Sequence, residues 1–321
     1  MKILITGGNG FLGRRLAARL LGDGAVGPDG IAPISELVLV DAAQGPPDSV
    51  TRDPRVKQRI GDLTDRIRVP QALRDIDAVF HLAAVVSGQA EADFDLGMRV
   101  NLDATRTLLE ACRYAGSCPR LIFASSVAVF GGRLPDAVGD DTTPTPQSSY
   151  GIQKYVGEQL VADYTRRGFV DGRTIRLPTI VVRPGKPNQA ASSFASGIIR
   201  EPLAGVDAIC PVPPETRLWL LSPDGAVDAL HRALCLPPWG DRAALNVPGI
   251  SVTVAEMVES LRRVAGAEVA KRIRWQRDAK IATIVASWPG RFTTTRANAL
   301  GFHTDADFDS IIRAHMTQAA K

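Results

Sequence analysis

The stretch KILITGGNGFLGRRLAARLL, residues 2–21, decides the fold. Lys2 to Thr6 is a short apolar strand, and from Phe11 to Leu21 apolar residues recur at helical spacing. Between them TGGNGFLG, Thr6 to Gly13, sets Gly7, Gly10 and Gly13 in a G-x-x-G-x-x-G series. Glycines there let the backbone turn tightly and approach a pyrophosphate, whose charge is met by amides at the helix N-terminus. Phe11 and Leu12 open that helix and belong to the same cradle, and Gly13 lets the helix pack close to the sheet. A glycine-rich loop without a ligand is the competing reading, but strand–turn–helix is the context a dinucleotide site demands.

The alternation continues. Leu37 to Val40 is a β-rich run ending at Asp41; Val56–Ile60, Ala78–Leu82, Leu121–Ala124 and Thr174–Leu177 read as further strands. Long helical patterns run from about Phe94 to Tyr114 and from Ser149 to Arg167. Short apolar strands alternating with helices predict an α/β protein with a doubly wound parallel (Rossmann) sheet covered on both faces. Beyond Pro178 the rhythm breaks. Pro and Gly crowd PTIVVRPGKPN, PVPPE and LPPWGD, and helical patterns are confined to about Ser192–Arg200, Asp224–Leu234 and Val254–Val264. Residues 1–178 are therefore expected to form the dinucleotide domain, with a returning segment near 222–248, and residues 179–321 mainly a smaller substrate domain.

Composition limits what such a chain does. Its 321 residues are 45% hydrophobic and 22% charged, with a net charge of only +4 spread along the chain. No Lys/Arg run or aromatic-interleaved basic patch points to nucleic acid. The four cysteines, Cys112, Cys118, Cys210 and Cys235, include no C-x-x-C pair and no histidine at metal spacing, which favours reduced thiols in a cytoplasmic protein and no metal. No segment approaches the ~20 apolar residues of a membrane span.

Candidate site residues cluster at predicted strand ends. Asp41, at the end of the second strand, can accept both ribose hydroxyls of a dinucleotide and would repel a 2′-phosphate, which favours NAD over NADP. It lies 28 residues beyond Gly13, against the usual ~20, and the insertion GDGAVGPDGIAP accounts for the excess. An exposed turn aspartate is the alternative. Asp62 and Leu63, in GDLTD, lie where adenine would pass, and the small Ala83 and Ala84 after Leu82 would admit the cofactor. His81 reads as a satisfied strand-end histidine rather than a catalyst. Asn101 follows in VNLDAT, and FASSVAVFGG places Ser125 and Ser126 at the end of the fifth strand. In SSYGIQKYVGEQ, Tyr150 and Lys154 lie four apart and share a helix face. Taken alone, Tyr-x-x-x-Lys is a weak pattern that many amphipathic helices contain.

In this order, T-G-x-x-G-x-x-G, the strand-end Asp41, S-S-x-x-V-F-G and Y-x-x-x-K resemble the extended short-chain dehydrogenases/reductases, which include nucleotide-sugar epimerases and dehydratases. The resemblance covers essentially the whole chain. It implies that Tyr150 transfers the proton, that Lys154 binds the nicotinamide ribose and lowers the Tyr pKa, and that Ser126 hydrogen-bonds the reacting oxygen. It also implies a cofactor-side role for Asn101 and Pro178, and a homodimer packed through the helices Phe94–Tyr114 and Ser149–Arg167. The chemistry is coherent without the family. Oxidation of a secondary alcohol requires a base, and bringing a phenol from about 10 to near neutral takes roughly 4 kcal/mol of preferential phenolate stabilisation.

Substrate choice rests on departures within that pattern. Epimerases usually carry R-Y-F-N after the sixth strand; here RLPT, Arg176 to Thr179, replaces the asparagine that often contacts the nucleotide sugar with Thr179. The stretches VVSGQAEADFDLGMRVN, RLPTIVVRPGKPNQAASSFASGIIREP and RLWLLSP resemble those family members that oxidise the four-carbon sugar acid D-erythronate at C2 with NAD. A carboxylate substrate needs a cationic or multi-donor anchor. Arg183 leads, with Lys186 and Arg217 as alternatives, and Ser87, Ser192 and Ser193 could supply hydroxyl contacts. Each is also readable as an ordinary surface or structural residue. A nucleotide-sugar epimerase or dehydratase with tightly held NAD remains the second reading, and a non-catalytic NAD sensor a third.

Overall fold

The computed structural model of the chain describes residues 1–27, 32–185, 190–238 and 244–319. Seven strands form one parallel sheet: β1 (Lys2–Thr6), β2 (Glu36–Asp41), β3 (Val56–Ile60), β4 (Ala78–His81), β5 (Arg120–Ser126), β6 (Asp171–Leu177) and β7 (Ala244–Asn246), in the order 7-6-5-4-1-2-3. The order reverses between β1 and β4. There the connections leave to opposite sides and open a crevice beyond the carboxyl ends of the strands.

Alternation along each strand sends side chains to two separate cores. Ile3 and Ile5, Leu37 and Leu39, and Phe80 point to one face. There they meet Leu16 and Leu20 of α1 (Phe11–Asp23) and, further along the chain, Leu230 and Leu234 of the helix Pro223–Cys235. Leu4, Val38, Val79, Leu121 and Phe123 point to the other face. They pack on Leu108 and Leu109 of α2 (Ala104–Ala115) and on Val161 of α3 (Ser149–Arg166). Both faces are buried, which is why these strands read as continuous apolar runs. The helix Pro223–Cys235, called α4, lies against α1, and β7 extends the sheet beside β6.

The long helix read from Phe94 to Tyr114 is one continuous run with a local widening. It begins as a short turn at Phe94–Gly97, passes through a π-helical segment, Met98–Asp103, and continues as α2. A widened turn of this kind redirects the side chains that follow it.

A third core gathers Phe194, Ile198, Leu218, Leu220, Met257, Leu261, Phe308 and Ile311 from the C-terminal half. Around it lie a three-stranded sheet in the order Ile250–Thr253, Arg217–Leu221, Thr179–Ile180, and a parallel pair of Ala208–Cys210 with Ile273–Trp275. The helices of this half are not confined to the three sequence-predicted ones. Ala279–Ala286 and Phe308–Ala319 are helical as well. The first is short, and the second presents Phe308, Ile311 and Ile312 to the core. Among the described residues no helix is long and apolar enough to cross a membrane.

Candidate active site

The crevice at the strand-order reversal is a cleft of about 920 Å³. One end is the glycine loop. Gly7 has φ +66°, and a Cβ there would sit 2.9 Å from the Ala83 amide nitrogen; a Cβ on Gly13 would sit 2.2 Å from the Gly7 carbonyl oxygen. No side chain caps the N-terminus of α1 at Gly10, so no side chain competes for the helix's first amides. A loop stripped of side chains, ending in open amide donors on the cleft wall, fits a pyrophosphate. Asp41 lines the same wall. Its two carboxylate oxygens accept from the Asn9 amide at 3.0 Å and the Ala43 amide at 3.3 Å, which fixes its orientation. Asp62 and Leu63 follow at the end of β3, with Asp62 Oδ1 accepting from the Thr64 amide at 2.8 Å.

The other end holds Ser126, Tyr150 and Lys154. Lys154 is buried, and its ammonium donates to the Ala124 carbonyl at 3.0 Å and lies 5.9 Å from the centre of the Tyr150 ring. Burial pulls its pKa down to about 8, against the opposing charge of Glu158. Tyr150 departs from the sequence expectation. Burial pushes its phenol up to about 12, and the groups working the other way are Ser126, through a hydrogen bond, and Arg183, through its charge. The Lys154 ammonium is turned onto the Ala124 carbonyl.

Beneath the pair lies an ionic network that the sequence reading passed over. Arg176 of β6 grips the buried Glu158 carboxylate with Nε at 2.9 Å and Nη2 at 2.6 Å, and Ser125 donates to the same carboxylate. Arg176 Nη1 also reaches Asn246 Oδ1 at 3.3 Å. The network ties α3 to β5, β6 and β7 directly under Lys154. Glu158 stands four residues after Lys154, and that spacing was the available signal.

His81 is locked as a neutral ring. Nδ1 is 2.7 Å from Thr6 Oγ1 and Nε2 is 2.9 Å from Thr105 Oγ1, whose own proton goes to the Asn101 carbonyl at 2.7 Å. Thr105 therefore accepts, and Nε2 carries the hydrogen. Burial, with Lys154 nearby, holds the imidazole down to about 3.

The cleft wall brings together nearly all the sequence candidates, from Gly7, Gly10 and Asp41 through Leu82, Ala83 and Ala84 to Ser87, Pro178, Thr179 and Arg183. Asn101 is an exception. It is buried, with its amide joined to the Val85 backbone and to Gln153 Oε1 at 2.8 Å, so it braces the loop behind the cleft rather than facing it. Arg217 is not on the cleft wall; it reaches Ser251 and, at 3.7 Å, Glu256. Lys186 lies outside the described residues. Trp288, which no motif announced, comes from just beyond the helix Ala279–Ala286 to line the cleft.

Arg183 is half-buried at that end. Its Nη2 donates to Ser192 Oγ at 3.2 Å, its amide donates to Ser196 Oγ at 3.0 Å, and its carbonyl accepts from Arg200. Among the described residues no carboxylate pairs with it. Burial and the Arg200 charge lower its pKa, as expected of a cation held without a counter-ion.

Fold and site together define an NAD-dependent enzyme of the doubly wound class, and a model of the NAD dependent epimerase/dehydratase family matches residues 3–234. The chain belongs to that family. It is 59% identical over 325 residues to the D-erythronate dehydrogenase of Cupriavidus necator, covering 99% of each chain, and 48% identical over 320 residues to that of Haemophilus influenzae, covering 98% of each. A solved structure named as a nucleoside-diphosphate-sugar epimerase from Agrobacterium tumefaciens superposes with a TM-score of 0.94 at 43% identity, over 100% of this chain and 94% of that one.

A carboxylate oriented on the cleft wall at the end of β2 repels a 2′-phosphate placed beside it. NAD is therefore expected to support turnover far better than NADP, and Asp41→Ala to narrow the gap. Equal kcat/KM with the two cofactors in the unaltered protein would remove Asp41 from this role.

Proposed function

We propose that this chain oxidises D-erythronate at C2 to the 2-keto acid, with NAD as cofactor. The observation that carries the reading is Arg183, a cation without a carboxylate partner among the described residues, on the cleft wall with Tyr150 and Ser126. A small acid places its carboxylate on such a group and its neighbouring hydroxyl near the phenol. The names borne by the two full-length relatives support the same substrate. The glycine loop and the first amides of α1 would hold the pyrophosphate, Asp41 the ribose and Asp62 the adenine amino group. NAD, when bound, supplies the acceptor for the two electrons removed from the alcohol.

The chain's own groups handle the proton and the orientation. Tyr150 takes the proton of the C2 hydroxyl, and Ser126 holds the same oxygen by a hydrogen bond. Because burial sets the phenol near 12 in the absence of ligands, Tyr150 enters the reaction protonated at neutral pH and requires neighbouring positive charge to ionise. Ser126 and Arg183 are the groups that favour the phenolate as the site stands, and Lys154 would join them by turning its ammonium from the Ala124 carbonyl toward the phenol. Rising pH shifts Tyr150 toward the base form but strips the charge from Lys154 above about 8, so kcat/KM is expected to rise from neutral pH and to level off or fall beyond about pH 8.

The direct test is a panel of four- to six-carbon sugar acids with NAD, followed by the absorbance of the reduced cofactor. D-erythronate is expected to be turned over, and UDP-glucose and UDP-galactose are not. The name of the Agrobacterium structure favours a second reading, a nucleotide-sugar epimerase. Turnover of a nucleotide sugar, with no reduced cofactor formed on erythronate, would establish it instead. Thr179, standing where such enzymes usually carry asparagine, weighs against it.

Two substitutions separate proton transfer from anchoring. Tyr150→Phe is expected to abolish turnover while leaving NAD binding largely intact, since only the phenolic oxygen is lost; substantial residual activity would return α3 to a purely structural role. Arg183→Ala removes a charge-assisted contact of about 1.5–3 kcal/mol. KM for erythronate should then rise roughly ten- to a hundredfold, and an unchanged KM would move the anchor elsewhere.

A homodimer packed through the surfaces of Phe94–Ala115 and α3 completes the proposal. Phe94, Tyr114 and Ile152 are 60%, 74% and 50% exposed on those helices. Sedimentation is expected to give twice the chain mass, and a monomer mass at micromolar concentration would exclude this interface. The four free cysteines suit a reducing compartment such as the cytoplasm.

A further inference from the structure

Away from the cleft, one cluster joins a nucleophile to a base. Cys235 is the last residue of α4, and its Sγ lies 3.9 Å from each ring nitrogen of His231, one turn earlier. His231 Nε2 is 3.3 Å from the carboxylate of Asp23 at the end of α1. Arg19 of α1 bridges Asp23 and Asp228 at 2.7 Å each. From the sheet side, Arg120 of β5 donates to the Leu234 carbonyl, and Arg173 of β6 donates to the carbonyls of Ala233 and Leu236. The carbonyl end of a helix ordinarily opposes a thiolate. Here two guanidinium groups, both also paired with Asp171, occupy the carbonyls on either side of Cys235 and offset that opposition.

Burial by itself raises the Cys235 thiol, but the His231 contact, the Gly27 amide and the charges of His231 and Arg120 outweigh it, and the thiol sits below its ordinary range. His231 is raised, first by Cys235 and then by Asp23, against burial and Arg19. The other three cysteines go the opposite way: burial pushes Cys112 up to about 12 and raises Cys118 and Cys210. Exposure gives a different ranking, because Cys118 is exposed while Cys235 is only partly so.

We propose that Cys235, paired with the His231 imidazole, is a reactive thiol that soft electrophiles and hydroperoxides modify in preference to the other cysteines of this chain. The thiol proton passes to His231, whose positive charge Asp23 stabilises. The thiolate attacks a peroxide oxygen: an S–O bond forms as the O–O bond breaks, hydroxide leaves, sulfur loses two electrons and becomes a sulfenic acid, and the peroxide is reduced. With iodoacetamide an S–C bond forms and iodide leaves.

The native full-length protein is treated with limiting iodoacetamide at neutral pH, and alkylation of each cysteine is read by mass spectrometry over time. Cys235 is expected to react about fivefold or more faster than Cys118, with its pH–rate midpoint below that of Cys118. His231→Gln is expected to slow Cys235 by about the same factor and to leave Cys118 unchanged. Hydrogen peroxide followed by a sulfenic-acid trap is expected to mark Cys235. Faster reaction of Cys118, or an unchanged rate and midpoint at Cys235 in His231→Gln, would overturn the proposal. Should that variant fail to fold, Asp23→Asn carries the same test: a raised midpoint at Cys235 supports the pairing, and an unmoved one refutes it.

Discussion

No side chain fits between Gly7 and Gly13, and much of the cofactor end depends on that contact. A Cβ at Gly13 would lie 2.2 Å from the Gly7 carbonyl oxygen, so α1 can begin this close to β1 only because both positions are glycine. The close start sets α1 against the sheet, where Leu16 and Leu20 join Ile3, Ile5 and Leu39 in one core. It also leaves the first amides of α1 facing the reversal between β1 and β4. Packing and anion binding thus share one steric requirement.

A second constraint governs the chemical end. Lys154 is almost fully inaccessible to solvent, which disfavours its charge, and the buried Glu158 four residues on offsets part of that cost. Glu158 is in turn neutralised by Arg176 and hydrogen-bonded by Ser125. A buried ion pair of this sort adds little net stability, since desolvation consumes most of its attraction. Its effect is geometric: α3, β5 and β6 are held in register beneath Tyr150 and Ser126. Arg183, lacking such a partner among the described residues, is left with attraction for an anion.

The fold was legible because its signals are local. A strand, a glycine turn and a helix are each written in fewer than about fifteen consecutive residues, and alternation of apolar runs reports a sheet covered on both faces. Tyr150 and Lys154 were legible as a pair for the same reason, since a helix places residues four apart on one face. The helices Ala279–Ala286 and Phe308–Ala319 are as amphipathic as α1, so their signal too was local.

The sequence alone determined the α/β class, the dinucleotide loop, the strand-end positions of Asp41 and Asp62, and the pairing of Tyr150 with Lys154. Only the tertiary structure decided which arginine faces the cleft: Arg183 does, while Arg217, equally cationic in the sequence, is turned to Ser251 and Glu256. It likewise brought Trp288 from more than a hundred residues away, turned Asn101 onto Val85 and Gln153, and set the Tyr150 phenol high through burial. The physical reason is range. Propensity, turn chemistry and periodicity act between near neighbours in the chain, whereas burial and charge pairing depend on what distant segments place around a side chain, and no local pattern encodes that surrounding.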